Sequence, residues 1–479
     1  MIVHKFGGTS LGTAERIASV ADIIAESRHS APTVAVVSAI RGTTDRLISG
    51  ARAAATGQQP VYRAARAEIA RTHHAIVDRL LSDSPERSEI GETIDARLEQ
   101  LERFLDSIAV LGELTARGHD AVACFGERLS ATLVAAVLRH RGVEAQAVSA
   151  TELIVTDDAF GSASPRMAPT CQRIRDTVRP LIDQGVVPVI TGYIGATETG
   201  IPTTLGRSGS DFSAAIIAAA LESNELRIWT DVDGILTADP NVVPAARVLR
   251  HLSYDEATRL ARFGAEVLHP RTIGPVIENE IPLCILNSFN PTDPGTRIVK
   301  SPSADRRLWP AIVSATGLQL IRLRGRHGAW RLHSATAALD RLSRAGIAVQ
   351  MFSQSFSEQG LNLVVGEHDG EHSVRLLSHD GAERSDASPP GYALDTIEDV
   401  ATVSVIGLPG NGPEGIASRA FAALGKHRVR VVAVAQAATE DSVTFCVPDE
   451  EVTETVRFLH RELELGNGDT MEPHDADEG

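Results

Sequence analysis

The 479 residues carry 46 Lys and Arg against 62 Asp and Glu, a formal charge of −16. Such a field repels nucleic acid and anionic membranes, so neither is expected as a partner, and an anionic substrate must be held by local amides, a few placed cations and a metal. Hydrophobic residues make up 43% and aromatics only 4%, which predicts an aliphatic core divided over two or three domains.

From the amino end, short β-branched runs at 2–6, 33–37, 186–191, 226–230 and 282–286 alternate with longer helical patterns, as in an α/β domain with a largely parallel sheet covered on both faces. A helical block at about 61–141 interrupts them, with Ile90, Ile94, Leu98, Leu101 and Leu105 at three and four spacing. Ser253 and Glu256 form a capping box that opens a further helix. A linker near 300–310 separates a domain over 1–300 from shorter elements. Strand, helix, strand, strand at 318–323, 334–345, 347–352 and 361–365 is followed by the same order at 402–406, 415–424, 429–434 and 442–447, an internal repeat. The repeats predict small domains over 310–380 and 395–465, separated by an exposed loop at 379–391 and followed by a disordered acidic tail at 466–479. Cys124, Cys171, Cys284 and Cys446 lack zinc or disulfide spacing and read as buried thiols. Without a basic leader or a run of about 18 apolar residues, the cytoplasm is the expected location.

Two glycine clusters carry the chemistry. Lys5, Gly7, Gly8 and Ser10 close the first strand, where amides can approach phosphate oxygens and a lysine can meet growing negative charge. Gly206, Arg207, Gly209 and Asp211 precede an apolar helix, a second anion cradle with a cation and a carboxylate in one turn. Two cradles in one domain suit a kinase with an acidic acceptor.

KFGGTS at 5–10, GERLS at 126–130, TTLGRSGSD at 203–211, WTDVDGI at 229–235 and FGAEVLHPRT at 263–272 resemble, in that order, the blocks of the aspartate kinases of the amino-acid kinase superfamily. The resemblance implies an amino-acid kinase fold, a largely parallel sheet flanked by helices, followed by two ferredoxin-like ACT domains. It implies ATP-dependent phosphorylation of the L-aspartate side-chain carboxylate to 4-phospho-L-aspartate, the first step of aspartate-family amino-acid biosynthesis. Lys5, Gly7, Gly8 and Ser10 would hold the ATP phosphates, and Thr230, Asp231, Asp233 and Leu236 the rest of the nucleotide. Ser38 and Thr44 would lie near the transferring phosphate, Glu127 would take the substrate ammonium, Arg207 would clamp a substrate carboxylate, and Tyr193 and Thr204 would line the same pocket. Asp211 would orient Lys5 or a catalytic amide.

A carboxylate attacks the γ-phosphate without deprotonation, so no base is needed and His269 reads as a packed or turn histidine. Mg2+ is expected on the phosphates and water, with no all-protein metal site. Leu236, Asn241 and Glu266 depart from the family's usual tyrosine, arginine and lysine. In the repeats, Gln354 and Gln436 match one another and resemble the effector-contacting glutamines of threonine-sensitive members, with threonine or lysine as the effector. The family's habits imply a homodimer or homotetramer, and the short tail implies a monofunctional chain. An amino-acid-sensing pseudokinase and another acidic amino-acid kinase, such as a glutamate kinase, are the competing readings.

Overall fold

A computed structural model describes residues 1–263, 268–302, 310–325, 332–355, 359–378, 392–407, 415–436 and 442–466. Glu266, Trp330, Arg331, the 379–391 loop and the tail beyond Gly466 lie outside the described residues. The chain divides into two compact units: residues 1–235 with 248–261 and the described part of 266–304, and residues 236–247 and 262–263 with the described residues from 310 onward.

In the first unit, β1 (Ile2–Phe6) leads through α1 (Ala14–Ser30) to β2 (Thr33–Val37). Then come the helices α2 (Thr43–Ala55), α3 (Gln59–Leu80), α4 (Glu86–Leu111) and α5 (Ala116–His140). Glycine at 112 in a left-handed turn ends α4, and Thr115 caps α5 by accepting from Gly118 N, so the block expected at 61–141 breaks into three packed helices. By length and composition α5 could cross a membrane, but 83% of its most apolar window is buried, which makes it a core helix.

The remaining elements of this unit are β3 (Ala145–Val148), β4 (Val155–Thr156), α6 (Met167–Asp183), β5 (Val187–Thr191), β6 (Ile194–Thr197), β7 (Pro202–Thr204), α7 (Gly209–Ala220), β8 (Glu225–Thr230), β9 (His251–Ser253), α8 (Tyr254–Arg262), α9 (Pro270–Glu278), β10 (Leu283–Asn287) and β11 (Thr296–Val299). Among the described residues the main sheet runs β3-β5-β2-β1-β8-β10-β11-β9, parallel except for the β10–β11 pair. Every residue of β1, β2 and β5 is buried, because helices cover both faces. From β1 the chain steps first to β2 on one side and only later to β8 on the other. That reversal opens a crevice at the carboxyl ends of β1, β2, β5 and β8, the usual ligand position of such sheets. A small sheet, β4-β6-β7, delivers Thr203 and Thr204 toward the same end. The capping box at the start of α8 closes both ways: Ser253 N donates to Glu256 Oε2 at 2.7 Å, and Glu256 N to Ser253 Oγ at 3.2 Å.

The second unit contains β12 (Ala311–Gly325), α10 (Leu332–Arg344), β13 (Val349–Ser355), β14 (Gly360–Gly366), α11 (Glu367–Ser378), β15 (Tyr392–Ile406), α12 (Ile416–Lys426), β16 (Ala433–Gln436), β17 (Ser442–Pro448) and α13 (Val452–Glu462). Its sheet runs β13-β14-β12-β15-β17-β16. This differs from two repeats laid end to end. Residues 318–325 of β12 pair with 392–400 of β15 and with β14, whereas residues 311–315 pair with 402–406, which in turn pair with β17. Each long strand therefore serves both modules, and the first module is completed by residues assigned to the second in the sequence. Residues 236–247 join this unit: Ala238 and Val243 sit in the apolar cluster of β15, β17, α12 and α13, and Thr237 Oγ1 is 3.1 Å from His460 Nε2.

Candidate active site

At the crevice, β1 ends in Gly7 and Gly8, and Gly7 N donates to Trp229 O at 3.3 Å. A Cβ on Gly8 would stand 2.9 Å from the Ala39 carbonyl, so only glycine lets this turn pass so close to the end of β2. Below the turn, His4, Phe6 and Trp229 stack with centroids 6.0–6.2 Å apart. The His4 ring is sealed, takes the Trp229 indole N–H at 3.0 Å and contacts Ser27 Oγ at 2.8 Å. Burial, assisted by the charge of Arg227, pushes its pKa down to about 3, so it is a neutral packing element.

Lys5 Nζ lies 2.6 Å from Asp211 Oδ1, in the first turn of α7. Before that turn, Gly206 (φ 78°) and Ser208 (φ 52°) are left-handed, so the chain bends and aims the free amides of α7 into the crevice. Lysine, glycine amides and a helix amino end thus surround one space, an arrangement suited to phosphate.

The other end of the space is built on α5. Glu127 is 3% exposed. Its Oε1 accepts from Ala39 N at 3.3 Å, while Oε2 is buried with no partner. Desolvation, opposed in part by backbone hydrogen bonds, pushes this carboxyl up to about 8. An anion site starved of a cation is what an ammonium group would satisfy. Tyr193, held at φ 65°, packs its ring on Gly209, where a Cβ would come within 2.6 Å of Cδ2.

These groups line one cavity of about 850 Å3. Of the residues singled out in the sequence, Lys5, Gly7, Gly8, Ser38, Thr44, Glu127, Tyr193, Gly206, Arg207, Gly209, Asp211, Thr230 and Asp231 are in its wall. The others lie elsewhere. Ser10 is buried and hydrogen bonded to Ser288 Oγ at 2.8 Å, and Thr204 is buried behind the wall. Asp233 accepts from Asn287 and Asn290, and Leu236 belongs to the second unit. His269 caps α9, accepting from Arg271 N at 3.2 Å. Gln354 and Gln436 stand near the ends of β13 and β16, the two edge strands of the second unit's sheet. Sequence reading passed over Arg41 and Asp45, which also line the cavity. Their signal was available, a charged pair flanking Gly42 directly after a buried strand.

The model of the amino acid kinase family matches residues 1–287, and that of the ACT domain residues 403–463. Aspartokinase 1, chloroplastic, of Arabidopsis thaliana is 31% identical over 98% of this chain and 81% of its own length. A bifunctional aspartokinase/homoserine dehydrogenase of Haemophilus influenzae is 31% identical over 97% of this chain and 56% of its own length. The chain thus spans about half the length of such bifunctional relatives. Among solved structures, E. coli aspartokinase III is 28% identical and covers 97% of this chain. Its complex with aspartate and ADP (R-state) gives a TM-score of 0.81 over 100% of that protein, and its complex with lysine and aspartate (T-state) 0.75 over 99%.

Proposed function

We propose that this chain, which belongs to the amino acid kinase family and within it to the aspartokinases, transfers the γ-phosphoryl group of ATP to the side-chain carboxylate of L-aspartate, forming 4-phospho-L-aspartate for aspartate-family amino-acid biosynthesis. The observation that carries this reading is Glu127, a sealed carboxyl with one orphaned oxygen in the same cavity as the Lys5–Asp211 pair. The substrate ammonium meets Glu127, and the exposed Arg207 guanidinium takes its α-carboxylate bidentately. This leaves the side-chain carboxylate directed at the glycine and α7 amides.

Asp211 holds Lys5 against the point where charge builds on the transferring phosphoryl oxygens. Mg2+ would arrive on the ATP phosphates, held mainly by them and by water. When bound there, Mg2+ supplies neutralisation of the phosphate charge. Ser38 and Thr44 offer hydroxyls on the β2 side of the cavity, and Gly7, Gly8, Thr230 and Asp231 line its nucleotide end.

The ACT-bearing second unit fits feedback by an amino acid, threonine or lysine, at Gln354 and Gln436 on the edge strands of its sheet, in a cytoplasmic homo-oligomer. Coupled ADP-release assays with aspartate, glutamate and acetylglutamate test the activity. Turnover confined to glutamate, or none with aspartate, refutes it.

A further inference from the structure

Arg41, in the cavity wall, stands at the tip of a pinned turn. Thr43 N donates to Ile40 O at 2.9 Å, and Gly42 (φ 76°, ψ −1°) has the left-handed geometry of a type II turn's third residue. The approach to this turn is tied as well. Ser38 N donates to Phe6 O at 3.1 Å and Ala39 N to Glu127 Oε1 at 3.3 Å, while the Ala39 carbonyl lies 2.9 Å from where a Gly8 Cβ would stand. Residues 39–41 therefore span the cavity from its Glu127 end to its glycine end.

The glycine turn at the end of β1 has a basic residue on each side. The Cβ position of Gly7 is 3.4 Å from Lys5 Nζ, and that of Gly8 is 3.6 Å from Arg41 Cα. Lys5 is claimed by Asp211, whereas Arg41 is exposed and its guanidinium has no carboxylate or carbonyl partner among the described residues. Asp45, in the same wall, makes no ion pair with it. Asp120, the other sealed carboxylate of α5, is saturated: Oδ2 accepts from Thr204 N at 2.8 Å and Gly161 N at 2.9 Å, and Oδ1 from Thr204 Oγ1 at 2.9 Å. In a chain of net charge −16, an unclaimed cation beside a phosphate turn is the exception.

Phosphoryl transfer to aspartate must bring two anions, the γ-phosphoryl and the acceptor carboxylate, to about 3–3.5 Å against their repulsion. We propose that Arg41 is a catalytic residue whose guanidinium bridges the two, its planar fork donating to a γ-phosphoryl oxygen and to the attacking carboxylate. The proposal rests on the reading of this cavity as an aspartate-phosphorylating site. One carboxylate oxygen forms the bond to the γ-phosphorus while the bond from that phosphorus to the β,γ-bridging oxygen breaks. ADP leaves with the electron pair, and no proton moves. Lys5 meets the growing charge on one side of the glycine turn and Arg41 on the other.

Arg41→Ala, Arg41→Gln and Arg41→Lys are assayed in the full chain by steady-state kinetics, thermal melts and calorimetric titration with MgADP and with the magnesium complex of the β,γ-imido analogue of ATP. Expected is a kcat lowered about 100-fold in Arg41→Ala and Arg41→Gln, and less in Arg41→Lys, which keeps the charge but not the fork. The analogue binds Arg41→Ala about tenfold more weakly than wild type and ADP within about twofold, because only the analogue carries a γ-phosphoryl. Aspartate binds the analogue complex of Arg41→Ala about tenfold more weakly than its ADP complex, since nothing bridges the two anions. Melting temperatures stay near wild type. A kcat within about threefold of wild type in Arg41→Ala, equal losses of analogue and ADP affinity, or aspartate affinity that does not distinguish the two complexes overturns the inference alone. A wild type that does not turn over aspartate overturns the proposed function and this inference with it.

Discussion

Lys5 and Asp211, 206 positions apart in sequence, meet at 2.6 Å with side chains only 11% and 13% exposed, and so tie the first strand to the first turn of α7. A lysine held there by one carboxylate oxygen can turn its remaining N–H bonds toward phosphate. Lys5→Ala is expected to lower kcat by about two to three orders of magnitude, the scale for loss of one charge-stabilising donor. Asp211→Asn lowers kcat less and leaves the KM for aspartate nearly unchanged. Steady-state kinetics with a thermal melt for each variant checks both.

Glu127 makes aspartate binding depend on pH. Its carboxyl, raised to about 8 in the free protein, is largely protonated at pH 7, and it must ionise to receive an ammonium. Aspartate binding should therefore release a proton below pH 8, and affinity should rise about tenfold per pH unit up to that value and then level off. Calorimetry in buffers of different ionisation enthalpy measures the release. Glu127→Gln should abolish it and weaken binding at pH 8.

Two buried histidines set a response to acid. Desolvation pushes His4 down to about 3 and His73, partly offset by its Ile69 carbonyl bond, to about 4. Because unfolded histidine ionises near 6.5, the unfolded chain takes up more protons between that value and 3 to 4. Their stabilising contribution is complete above about pH 6.5 and is lost as the pH falls through that window. Urea unfolding at pH 7 and pH 4.5 should show the loss, with a shallower pH slope in His73→Leu.

Gly209→Ala places a methyl about where the Tyr193 ring now sits. Tyr193 already occupies a left-handed backbone position and cannot retreat cheaply. A stability loss of about 1–3 kcal/mol is expected from the overpacking. The KM for aspartate should rise more than that for ATP, and denaturant titration with kinetics reads both.

Lys5, the glycines and Arg207 were legible because their chemistry is local: a buried strand ends, glycines follow, and a helix begins. Asp120 was not legible, since its partners lie 41 and 84 positions away and only the folded chain brings Gly161 and Thr204 to it. The buried runs at 2–6 and 33–37 gave the strands of the main sheet directly, whereas the first half of β15 was hidden by polar residues. Leu394, Asp395, Thr396 and Ile397 lie in a stretch to which the sequence assigns no strand, yet they form one because residues 320–323 of β12 supply the pairing. The setting of Ser10 was hidden for the same reason, because Ser288, its hydrogen-bond partner, is 278 positions away.

The stretch at 236–247 also orders events during synthesis. Thr237 and Val242 have partners in α13, at His460 and Arg457, 223 and 215 residues further along. At about 5–20 residues per second, a ribosome needs on the order of 10 to 40 s to make that interval. Strands β1 to β8 can assemble in the meantime, but Ala238 and Val243 must wait, apolar and uncovered, until nearly the whole described chain has emerged.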